Sequence, residues 1–167
     1  MGKSFLLLAL VFSALRPAIA EDCKAAVLKH LHTSRDFTVK VAEAMPAEYY
    51  NFKLTPPQMS FAEQLVHLSQ GFDYITASFT GDKPNPAKPA SLNKADVIVF
   101  VKASYDKLIV RVSNLTADQL AKSYHTEDGD LTGTEMLLFV LDHTTHHRAS
   151  AEMYLRAKGI TPPEYQF

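Results

Sequence analysis

The stretch Ser60-Phe61-Ala62-Glu63-Gln64-Leu65-Val66-His67-Leu68-Ser69-Gln70-Gly71-Phe72 decides how this chain is read. Ser60 and Glu63 have the spacing of a capping box. The serine hydroxyl takes a backbone N–H at the third helical residue, and the glutamate reaches back to the serine N–H. Behind the cap, Phe61, Leu65, Leu68, Phe72, Ile75 and Phe79 recur at alternating spacings of four and three. That is one apolar stripe, a helix that must bury one face against partners.

Working outward, the same grammar recurs. Thr132-Gly133-Thr134-Glu135 is another capping box and opens a helix running to Lys158. Met136, Val140, His143, His147, Ser150 and Tyr154 form its stripe. Gly159 is suited to a left-handed C-cap, and Pro162-Pro163 prevents continuation. Upstream, residues 22–44 read as a helix ending before Pro46. A third helix is expected from Ser91 to Val112, with Val97, Val101, Ser104, Leu108 and Val112 facing inward. Thr116-Ala117-Asp118-Gln119 caps a short helical turn, residues 81–89 are proline-rich loop, and Gly129-Asp130 is a break. Long helices, stiff links and no strand-like alternation predict an all-α fold, a four-helix bundle.

Residues 1–20 read as a secretory signal peptide: a positive start at Lys3, an apolar stretch from Phe5 to Leu15, and small residues at Ala18 and Ala20 before the cut. The apolar run is too short to span a membrane, so no stable membrane insertion is expected after cleavage. The expected domain is residues 21–167, exported to the periplasm or secreted. Lys3 and Arg16 leave with the signal, so 15 of the 17 basic residues remain against 18 acidic ones. With no Lys/Arg cluster and a slightly acidic balance, nucleic-acid binding is not expected. Cys23 is the only cysteine, which excludes an intramolecular disulfide.

His143 and His147 carry the chemistry. Residues four apart share a helix face, so two imidazoles can grip one ion from one rigid element. Both lie on the core-facing stripe, where an unsatisfied imidazole nitrogen costs roughly 1–3 kcal/mol. Metal ligation satisfies one nitrogen and a neighbouring acceptor the other. A third imidazole from another helix would complete a three-nitrogen site with an open position. His146, three residues after His143, is a geometric alternative that sits on the flank of the stripe. His67 lies roughly 120° from the centre of its own apolar stripe, so spacing leaves it open as a ligand. Gly71, one turn on, leaves space beside an imidazole. His30, His32 and His125 read as ordinary surface or partly buried residues. No carboxylate is placed as a general base: Glu135, Asp142 and Glu152 all point off the histidine stripe. Tyr154 reads as a core aromatic. No catalytic residue is assigned.

Taken together, several segments resemble the DinB family, the DinB/YfiT-like metalloenzymes. They are Met45-Pro46-Ala47-Glu48-Tyr49-Tyr50-Asn51-Phe52-Lys53-Leu54-Thr55-Pro56, Ser60 through His67, Asp142-His143-Thr144-Thr145-His146-His147-Arg148, and Tyr154 through Pro163. The resemblance implies a four-helix bundle holding a divalent metal through His67, His143 and His147, zinc foremost with nickel or iron as alternatives. It implies a metal-dependent enzyme, of hydrolase or thiol-dependent transferase type, acting on a small molecule. Where relatives commonly follow His-Arg with Gly-Gln, this chain has Ala149-Ser150. The small thiols used by the transferases are cytosolic, so export turns the expectation toward hydrolysis. A non-catalytic exported metal-binding bundle is the alternative, and a homodimer is compatible with either.

Overall fold

A computed structural model describes the backbone of residues 3–126 and 129–166 and the side chains from Asp22 onward, Glu127, Asp128 and Phe167 excepted. The side chains of the expected signal peptide, residues 1–20, therefore lie outside the described residues.

The long helices are α1 (Lys3–Ala44), α2 (Phe61–Thr76), α3 (Lys94–Ser113) and α5 (Gly133–Ala157), with a short α4 (Ala117–Ala121). The fold is the expected all-α four-helix bundle. α1 extends upstream of residue 22, through Ala- and Leu-rich sequence that favours helix. The caps form as read. Ser60 with Glu63, Thr116 with Gln119, and Thr132 with Glu135 each make both halves of a capping box. Gly159 adopts φ +72°, and its N–H and that of Ile160 return to the carbonyls of Arg156 and Leu155. This closes α5 with a left-handed turn.

The differences from expectation are local. α3 begins three residues later than Ser91, because Asn93 accepts the Asp96 N–H as its N-cap. Ser104 is only half-buried, and Phe100 and Tyr105 take core positions beside it. Phe79 is buried, but a 3-10 turn over Ala77–Thr80 carries it rather than α2 itself. Around the Gly129-Asp130 break lies a small antiparallel hairpin, β1 (Ser123–Thr126) with β2 (Gly129–Thr132), pairing Tyr124 with Leu131. Strands of four residues are too short for alternation to reveal them.

α1 packs on α3 and α5, and α2 packs on the same two helices. The four long helices thus close a ring with α1 and α2 on one diagonal. Leu31 and Val41 of α1, Phe61, Leu65 and Leu68 of α2, Val97, Val101 and Tyr105 of α3, and Leu137, Val140 and Leu155 of α5 are all inaccessible to solvent. Each such side chain contributes roughly 1.5–3 kcal/mol of burial. Because α2 has neighbours on two sides, it buries more than the single stripe its periodicity shows. One polar network crosses this core. The Tyr105 hydroxyl lies 3.0 Å from Ser34 Oγ and 2.9 Å from Thr38 Oγ1, and Arg148 Nη1 donates to Ser34 Oγ at 2.7 Å. Among the described residues, no helix is long and apolar enough to cross a membrane.

Candidate metal centre

α2 and α5 share the most extensive helix contact of the bundle, and the histidines meet along their seam. His67 comes from the second turn of α2, and His143 and His147 from successive turns of α5. The His67 ring centroid lies 5.4 Å from that of His143 and 4.5 Å from that of His147. The two α5 rings are 4.6 Å apart. One nitrogen from each ring falls within 4.8 Å of the other two. Among the described residues this is the one group of three histidine, cysteine or acidic side chains so arranged that could hold an ion.

Two features of α2 shape the cluster. Gln64, one turn before His67, sets its Oε1 2.7 Å from His147 Nδ1. An amide oxygen only accepts, so the His147 proton resides on Nδ1 and the Nε2 lone pair is available. Gly71, one turn after His67, supplies the second. A Cβ there would fall 2.2 Å from His143 Cε1 and 2.7 Å from Nδ1. The space beside Gly71 is therefore filled by the His143 ring, not by that of His67 as the sequence reading had it. His143 Nδ1 is buried and has no hydrogen-bond partner.

The electrostatics favour neutral rings. Burial, aided by the neighbouring imidazoles, pushes His143 and His147 down to about 4. Burial, aided by His146, lowers His67 as well. At neutral pH all three rings are neutral, each keeping one N–H and offering one nitrogen lone pair, which is the state a cation requires. Each ring keeps partial exposure, so the cluster is approachable from solvent.

His146 is exposed, with its ring 4.8 Å from that of His147, and lies outside the converging group. His125 sits on β1 and pairs with Asp130 at 2.8 Å, and His32 is exposed. Among the described residues no acid joins the converging group. Glu135 is engaged in the α5 cap, and Asp142 is exposed. Tyr154 is buried with its hydroxyl on the Met59 carbonyl, a core aromatic as expected. The roles of Gln64 and Gly71 at the α5 histidines were not read from sequence, although both share the His67 face, which is the signal that marks them.

A buried imidazole nitrogen without a partner, a cradle that any side chain would fill, and an all-nitrogen donor set fit a borderline-soft divalent cation. The fold and the histidine cluster together define an all-α bundle with three imidazoles between two helices that could hold a metal ion. The chain belongs to the DinB family, whose model matches residues 20–167. It is 23% identical over 145 residues to the uncharacterized protein YjoA of Bacillus subtilis (strain 168), covering 84% of this chain and 94% of that one. The crystal structure of YjoA, a DinB-like protein, superposes with a TM-score of 0.69 at 22% identity, covering 84% of this chain and 98% of YjoA. A DinB-like protein from Bacillus cereus ATCC 10987 gives a TM-score of 0.73 at 15% identity, covering 84% and 95%. YfiT from Bacillus subtilis is described as a probable metal-dependent hydrolase with an unusual four-helix bundle topology. It gives 0.63 at 14% identity, covering 83% of this chain and 89% of YfiT.

Proposed function

We propose that this chain is a metal-dependent enzyme acting on a small molecule, with His67, His143 and His147 holding a divalent cation, zinc foremost and nickel or iron as alternatives. The observation that carries this reading is the convergence of three neutral imidazole nitrogens within 4.8 Å on a partly exposed seam. The description of YfiT as a probable metal-dependent hydrolase supports it. A doubly charged cation there supplies Lewis acidity, polarising a carbonyl or ester oxygen and favouring a deprotonated nucleophile. The chain's own contribution is placement. Gln64 holds the His147 ring by its Nδ1 proton, and Gly71 admits the His143 ring against the α2 backbone.

Between hydrolysis and thiol-dependent transfer, we favour hydrolysis. That preference rests on reading residues 1–20 as a signal peptide, with residues 21–167 exported to the periplasm or secreted, where cytosolic thiols are absent. The substrate-facing partner is a small molecule, neither nucleic acid nor bilayer, and a homodimer accommodates this arrangement. One observation favours a second reading, a non-catalytic metal-binding bundle: Glu135 is committed to the α5 cap, so it is not free to act as a base.

Elemental analysis of untagged protein, native and His143→Ala, tests the ligand set. Near-stoichiometric metal is expected in the native chain and not in the variant; metal retained unchanged in the variant refutes the assignment. Turnover of ester, amide or phosphoester substrates that a chelator abolishes selects the enzyme. Full metal occupancy without turnover on any of them selects the binding bundle.

A further inference from the structure

Arg148 follows His147 in sequence but faces another way, toward α1. It is 6% exposed. A guanidinium carries five N–H donors and is always charged. Among the described residues its one hydrogen-bond acceptor is Ser34 Oγ, 2.7 Å from Nη1, and its Cζ lies 4.7 Å from the centroid of the Phe37 ring. Glu152, one turn along α5, feels the Arg148 charge without forming an ion pair with it. A hydroxyl and an aromatic face compensate a buried cation only in part.

Beside Arg148 lies a cavity of about 210 Å³. His30, Thr33 and Ser34 of α1, Thr145 and Arg148 of α5, and Tyr165 of the C-terminal tail line it. None of the cluster histidines does. The lining offers hydroxyls, the His30 imidazole, the Gln166 amide and one guanidinium, with Leu141 as its apolar wall and no carboxylate among the described residues. A guanidinium fork matches the paired oxygens of a carboxylate or phosphate group, which complete its donors and balance its charge.

The geometry points to an oxyanion-binding site between α1 and α5, in which Arg148 receives the carboxylate or phosphate group of a small molecule. The site is separate from the metal centre and does not depend on it.

The test is titration of acetate and of inorganic phosphate into the chelator-treated full chain at constant ionic strength. Calorimetry and the Arg148 Nε–H resonance report the binding. Chelation removes any anion binding at a cation, so the result is independent of the metal reading. Saturable one-to-one binding by either anion is expected, with movement of the Arg148 resonance. It should weaken at least about tenfold in Arg148→Met and in Thr145→Trp. Thr145 is exposed, so that variant blocks the cavity with little demand on folding and carries the test if Arg148→Met does not fold. Whichever anion saturates first identifies the headgroup class. Absence of saturation with both anions, or equal binding in the wild type and Thr145→Trp, overturns the site.

Discussion

Replacing Gly71 with alanine adds one methyl group in the middle of α2, and the structure says where it lands. The new Cβ would sit 2.2 Å from His143 Cε1, 2.7 Å from Nδ1 and 2.9 Å from Nε2. Ordinary contact requires roughly 3.5 Å, so the ring must retreat by more than about 1 Å. Working metal sites tolerate ligand displacements of only about 0.5 Å. His143 would therefore leave the proposed ligand set while the backbone stays helical. In stability the effects oppose each other. Alanine gains about 0.5–1 kcal/mol in a helix over glycine. Overpacking against the ring costs roughly 1–3 kcal/mol. The net loss is at most about 2–3 kcal/mol, or a fall in Tm of roughly 10 °C or less for a domain of this size. Metal affinity should drop by at least about 100-fold, more than loss of a supporting hydrogen bond produces. The assay is metal content after dialysis against a buffered chelator, alongside thermal melts with and without metal. A folded Gly71→Ala protein that binds one metal per chain with native affinity would refute the reasoning.

Other outcomes follow from the same geometry. Gln64→Leu removes the acceptor for His147 Nδ1 and should weaken metal binding about 10–100-fold, whereas Gln64→Glu should strengthen it; a competitive chelator titration reads both, and unchanged affinity in both variants would mark the contact as incidental. The pH dependence of the metal-free protein has a fixed sign. Folding lowers the histidine values, those of His143 and His147 from 6.5 to about 4, so the unfolded chain binds more protons between those limits. The stability from these rings is complete above about pH 6.5 and is lost as pH falls toward 4. The wild-type urea midpoint should fall more steeply with pH across that window than that of His143→Ala, and equally steep falls in the two proteins would contradict it.

The starts of α2, α4 and α5 were legible because caps are local. Ser60 with Glu63 and Thr132 with Glu135 act within one turn, and nothing distant alters them. His143 and His147 were legible for the same reason, since a single helix fixes their spacing. His67 was not, because its place depends on how α2 is rotated between two neighbours. Its stripe marks one buried face, while packing between α3 and α5 creates a second. Gln64 and Gly71 act across that second face, on side chains far along the chain. Tyr105 escaped for a related reason: a buried hydroxyl becomes intelligible only beside Ser34 and Thr38 from another helix. The resemblance to the DinB family supplied His67 where periodicity left it open.

The hydroxyls around Tyr105 also bear on how the helices line up lengthwise. Apolar surfaces tolerate sliding, since one leucine replaces another a turn away. Moving α1 by one turn, about 5.4 Å, would strand the fully buried Thr38 and Tyr105 hydroxyls and part Ser34 from Tyr105 and Arg148. At roughly 1–3 kcal/mol for each orphaned group, intermediate offsets are heavily disfavoured. The vertical alignment of α1, α3 and α5 is thereby discrete. The height at which α5 offers its imidazoles to α2 is set from the opposite side of the bundle.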